Sequence, residues 1–237
     1  MREAPFGSNV ASLLQEAREV GVVVDFVRFE LTSEEADALQ AHTSEPAYPH
    51  CRAAALEGMQ VLARRNRERL ARLGVTPREP AFRIQIRGEP HGRHVDYDTM
   101  LGPSWCTRTR RSRLDGRLRG AASVAEETAA MEGYLRWHHA RGRDEDGLDP
   151  GLARAFLSPP YGLRASGDAL WREREDLFAR LLDELFYRLA SPLLVHEWSD
   201  DWSNYFDSGR EWWGTLYYTV GIADADELVV IGASSSD

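Results

Sequence analysis

Strand-like patterning recurs along this chain. Between Val20 and Leu31 it is rich in Val and Phe, and Val23, Val27, Phe29 and Leu31 share one face of an extended strand, with Asp25 the exception. Ala81–Gly88 alternates cleanly, with Phe82, Ile84 and Ile86 on one face and Arg83, Gln85 and Arg87 on the other. His94–Met100 reads as its hairpin partner across Glu89–Gly92. In that register Ile86 faces Val95 and Ile84 faces Tyr97, while Arg87, Gln85 and Arg83 face His94, Asp96 and Asp98. Leu193–Trp198 forms a further strand, and Trp212–Ile222 with Leu228–Ala233 forms a terminal hairpin.

Helical periodicity fills the intervals. Residues 9–18 predict a short first helix. Thr32 and Glu35 have the spacing of a capping box and open a second helix of about two turns. After a loop at His42–Pro49, a long helix runs from His50 to Leu73 and stops at Gly74. Its apolar stripe is Leu56, Met59, Ala63, Leu70 and Leu73, and its many arginines read as a solvated surface. Further helices are expected over 123–141, over Pro150–Leu157 with Asp149 as cap, and over Asp168–Leu189. Ser158–Gly162 reads as a turn. Residues 101–122 read as a mobile loop, with six arginines between Arg108 and Arg119. The sum is a single α+β domain over residues 1–237, with a largely antiparallel sheet of about five to six strands and helices mainly on one face.

Composition narrows the functional classes. The formal charge of −9 argues against nonspecific attraction to nucleic acid and towards a basic partner. The arginine loop is the one stretch suited to a polyanion. All 29 basic residues are Arg, so chemistry that needs a lysine is excluded. No apolar run reaches membrane-spanning length, and the first residues lack the pattern of a signal peptide, so a cytoplasmic location is expected. Cys51 and Cys106 are too few for a disulfide framework. There is no GxGxxG, GxSxG or other cofactor motif, and no cofactor is expected.

Two constellations carry candidate chemistry. His91, His94, Asp96 and Asp98 form HxxHxDxD, and these side chains are metal-ligand types. His94-x-Asp96 resembles the HxD of iron- and 2-oxoglutarate-dependent oxygenases. That resemblance implies a distal His and an Arg, for which His196 and Arg210 are the residues suitably placed. The strands are too few for that family's double-stranded helix, so cross-strand polar pairing is the favoured account of the string.

The second constellation is His196–Gly214, which holds four of the seven Trp and five carboxylates in nineteen residues. Read as part of a strand, Glu211, Trp213, Thr215, Tyr217 and Thr219 share one face and Trp212, Leu216, Tyr218 and Val220 the other. The first face predicts a half-exposed groove at Trp213 and Tyr217, and the second predicts core. Asp200, Asp201, Tyr205 and Glu211 complete the expected binding surface. The string YFDSGREWWG resembles segments of uncharacterised bacterial proteins and transfers no function. The expected function is a binding module with an acidic, Trp-rich groove for a basic protein, of the toxin-neutralising type. The alternative is a metal-dependent enzyme using residues 91–98.

Overall fold

The structure, a computed structural model, describes residues 1–40, 44–74, 83–114, 117–118, 151–157, 168–187, 193–212, 214–222 and 225–234. The expected helix at 123–141, the turn at 158–162, Asp149, Arg119 and Trp213 lie outside these residues. The fold is α+β, and the chain forms two compact units. The first comprises Met1–Phe6, Val24–Val95 and Leu189–Asp237; the second comprises Gly7–Val23 and Asp96–Arg188.

The first unit is built on a six-stranded antiparallel sheet. Its strands are β1 (Arg2–Ala4), β2 (Asp25–Glu30), β3 (Gly92–Val95), β7 (Leu194–Trp198), β8 (Thr215–Ile222) and β9 (Glu227–Ser234), in the order β1-β2-β9-β8-β7-β3. The terminal hairpin forms, with Thr219 opposite Val230 and Val220 opposite Val229, although its first strand begins at Thr215 and not at the expected Trp212. Among the described residues, which leave out Phe82, the expected hairpin between 82–88 and 94–100 does not form. β3 pairs with β7, His94 facing His196, and Ile86 instead makes one bridge to Ser203. The backbone of 85–88 is taken up instead by hydrogen bonds to the segment after β7.

Helices α2 (Ser33–Gln40) and α3 (Ser44–Arg72) belong to this unit. The Thr32–Glu35 capping box is realised in both directions: the Thr32 amide donates to Glu35 at 2.8 Å and the Glu35 amide donates to Thr32 Oγ1 at 3.4 Å. The loop expected at 42–49 gives way to helix from Ser44, through Pro49. Pro46 falls in the first turn, where an N–H would lack an intrahelical partner anyway. At Gly74 the chain turns to φ 68° and the helix ends as predicted.

The face of α3 that meets the sheet is not the predicted stripe. It is Cys51, Ala54, Ala55, Gly58, Met59 and Leu62, while Leu73 is 66% exposed. The small residues set the distance: a Cβ on Gly58 would lie 2.9 Å from Val230 Cγ1. Val27, Phe29, Leu194, Trp198, Tyr217, Leu228 and Val230 supply the sheet's side of this core. Arg64 and Arg65 are not simply solvated, because both pair with Glu3 and Arg65 also donates to the Phe26 carbonyl.

The second unit holds α1 (Ser8–Glu19), α4 (Tyr97–Leu101), α5 (Leu152–Leu157) and α6 (Asp168–Leu182), which continues into a π-helical turn at Asp183–Tyr187. A small sheet of β4 (Trp105–Cys106), β5 (Arg111–Leu114) and β6 (Arg117–Leu118) occupies part of the expected 101–122 loop. Trp105 meets Phe178 edge-on, and Phe156 packs on the same ring. The buried Glu175 carboxylate accepts from the Ser112 amide and hydroxyl and pairs with Arg111, fastening β5 to α6.

Among the described residues no helix is long and apolar enough to cross a membrane.

Candidate functional site

The segment after β7 does not continue as strand. Residues 199–206 turn, and α7 (Asp207–Trp212) follows before β8 begins at Thr215. Gly214, at φ 121°, makes the connection in a conformation that favours glycine. Glu211 is therefore helical, and the expected strand over 211–219 begins only at Thr215.

Its parity fails with it. Tyr217 is 1% exposed; its hydroxyl donates to the Ala55 carbonyl at 2.9 Å, and its ring meets Trp202 and Phe206 edge-on. It is core, not the wall of a groove. Thr219, on the same face, is also buried and accepts a hydrogen bond from Trp198 Nε1. Leu216, Tyr218 and Val220 are buried as expected, so both faces of β8 are interior.

What the 199–212 segment does build is a surface, together with residues 83–91. Asn204 is the clasp: the Gln85 amide donates to its Oδ1 at 2.6 Å, and its Nδ2 donates to the Arg83 carbonyl at 2.8 Å. The Arg87 and Gly88 amides donate to the Trp202 carbonyl, and the Asn204 amide to the Gln85 carbonyl. At the far end the Ser199 amide donates to the His91 carbonyl. Trp202 and Phe206 are buried beneath, with Tyr205 half-buried and its hydroxyl donating to Asp25 at 3.2 Å. Burial and the Asp25 charge push the Tyr205 phenol well above its ordinary value, so it stays a neutral donor.

Charge on this surface centres on Arg210. Its guanidinium donates to Asp200 at 2.9 Å, and Asp201 and Asp207 also act on it electrostatically. Burial works to raise the Asp200 carboxyl, but hydrogen bonds from Arg210 and Thr215 outweigh it and hold the group below the ordinary carboxylate range. Asp207 pairs with Arg87 at 2.8 Å, and Asp201 is exposed, accepting from the Ser199 hydroxyl at 2.8 Å. Ile86, bridged to Ser203, is 41% exposed.

Of the residues expected to bind, the structure thus puts Asp200 and Asp201 beside Arg210, while Tyr205 is half-buried, bonded to Asp25 and packed on Phe206 and Tyr217. Glu211 lies on α7, Trp213 lies outside the described residues, and Tyr217 is interior. Ile86, Arg87, Asp207 and Arg210 join the surface without having been placed there by the sequence. Asp207 was visible as one carboxylate of the aromatic stretch, but nothing local ties it to Arg87, 120 residues away.

The HxxHxDxD string disperses. His91 precedes β3 and His94 lies within it, and both are exposed. Asp96 is the N-cap of α4, accepting from the Thr99 amide at 2.6 Å, and Asp98 is an acid in that helix's first turn. Among the described residues no group of three or more His, Cys, Asp or Glu could hold a metal ion. The six-stranded sheet is also a single open one, unlike the double-stranded helix of the oxygenases that HxD resembles.

Comparison with protein-family models, with curated proteins and with solved structures gave no match.

Proposed function

We propose that this chain is a protein-binding module that captures a basic partner through the surface of residues 83–91 and 199–212, as a toxin-neutralising protein would. The observation that carries the reading is the surplus of carboxylate around Arg210: Asp200, Asp201 and Asp207 all act on its guanidinium, and Arg87, paired with Asp207, leaves three carboxylates to two guanidinium groups. A partner's arginine or lysine can add to Asp201, which among the described residues accepts a hydrogen bond from the Ser199 hydroxyl of its own loop. The exposed Ile86 gives the same surface an apolar contact, and the Asn204 clasp holds the two segments in place before binding. Such preorganisation lowers the entropy that association costs. The overall charge of −9 favours encounter with a basic protein.

The test is capture from native cell extract with wild-type protein and with Asp201→Arg as parallel baits. Asp201 is exposed, so the variant keeps the fold while reversing the charge. A basic protein retained by wild type and lost by Asp201→Arg supports the reading. A partner that is acidic, or that both baits retain equally, sinks it.

A further inference from the structure

His196 is the most anomalous polar residue in the first unit. It is 0% exposed, and neither ring nitrogen has a hydrogen-bond partner among the described residues. Buried imidazole nitrogens without partners are costly, and a bound ion or water is among the few explanations for one that persists. Its surroundings are specific. Tyr48 meets the ring edge-on at 5.6 Å, Trp198 stacks at 5.9 Å, and Thr219 lies opposite on β8. Thr219 already serves Trp198 Nε1. On the other side, directly across the β3–β7 ladder, stands His94, its ring centre 5.9 Å away and nearly perpendicular. His94 is exposed, and β3 is the edge strand of the sheet.

We propose that His94 and His196 are the two protein ligands of a divalent metal ion of the zinc class, held across strands β3 and β7 with water in its remaining positions. The spacing fits. A zinc-bound imidazole nitrogen lies about 2.1 Å from the ion, and the ring centre about 1.2 Å further. Two rings on one ion then have centres about 5.3 Å apart at the tetrahedral angle and about 6.5 Å apart when opposed. The observed 5.9 Å falls between these limits. Imidazole nitrogen suits zinc, copper and nickel, and not the hard cations that demand oxygen. His94 gives the ion access from solvent, while Tyr48 and Trp198 hold the inner ring in place. The ion would join an edge strand of four residues to the sheet interior.

The experiment uses the full chain without an affinity tag, stripped with chelator and titrated with zinc chloride alone. Calorimetry should show one site in wild type. Losing an outer-shell partner of a metal ligand costs ~10–100-fold in affinity, so losing one of two ligands in His94→Ala should cost about tenfold or more. His91→Ala, at the exposed residue just before the same strand, should leave zinc binding unchanged and controls for casual surface chelation. Because substitution of a fully buried residue can unfold the chain, His196 is read directly: its imidazole 15N signals should shift on zinc addition in wild type. Zinc that binds wild type and His94→Ala equally overturns the proposal, as does saturation with the His196 signals unmoved. Absence of any zinc site also overturns it and leaves bridging water as the partner of these nitrogens.

Discussion

Protonation of His196 should make the metal-free protein acid-labile in a defined window. Burial, reinforced by the charge of His94, pushes its imidazole down to about 4 from an ordinary value of about 6.5. Between those values the unfolded chain binds a proton at this site and the folded chain does not. The contribution to stability is therefore fully present above pH 6.5 and is lost as pH falls towards 4. At about 1.4 kcal/mol for each tenfold, the whole effect is about 3 kcal/mol, most of it gone by pH 4.5. The comparison is with His196→Leu, which fills the site with an apolar side chain and removes two unpartnered nitrogens. At pH 7 that exchange should be near neutral or stabilising. Urea unfolding in the presence of chelator, followed by tryptophan fluorescence at pH 7, 6, 5 and 4.5, measures both. Wild type should lose about 2–3 kcal/mol more than His196→Leu across that range. Parallel curves would refute the reasoning, because the acid sensitivity would then belong to groups the two proteins share.

Asn204→Ala should release residues 83–91 by breaking two hydrogen bonds, costing about 1–3 kcal/mol and accelerating hydrogen exchange at the Gln85 amide; unchanged exchange there would mean the clasp is not Asn204. Gly58→Ala should destabilise even though alanine is the better helix former by ~1 kcal/mol, since the added Cβ would press on Val230 and the Tyr217 hydroxyl; a higher melting temperature would show that α3 can shift freely from the sheet. Asp96→Ala should cost about 1 kcal/mol through loss of the α4 cap, measured by urea unfolding, and should leave the zinc titration unaltered.

The legible parts of the fold were those written locally. Thr32 and Glu35 form their capping box, Gly74 ends its helix, and the β8–β9 hairpin closes where alternating and turn residues place it. The failures share one cause. Alternation in the sequence Phe82–Ile86 suggests an extended segment but cannot name its partner, and the partner of Gln85 and Ile86 proved to be Ser203–Asn204, far away in sequence. On β8 both faces are buried, so polarity does not separate core from surface; Thr219 is interior because Trp198 Nε1 reaches it. Counting strand parity from Glu211 failed because α7 and Gly214 interrupt the strand. Asp96 and Asp98 look like ligands in sequence, yet a helix N-terminus uses the same acidic residues for its unpaired amides. The two histidines that do meet, His94 and His196, are brought together only by the β3–β7 register.

The central claim is that the carboxylates around Arg210 recognise a basic protein. Its most direct test is the affinity of the purified captured partner for wild type and for Asp201→Arg, each at low and at physiological salt. The account predicts that charge reversal weakens binding by about tenfold or more, chiefly by slowing association, and that the gap narrows as salt rises. Equal affinities, or a difference indifferent to salt, would contradict it.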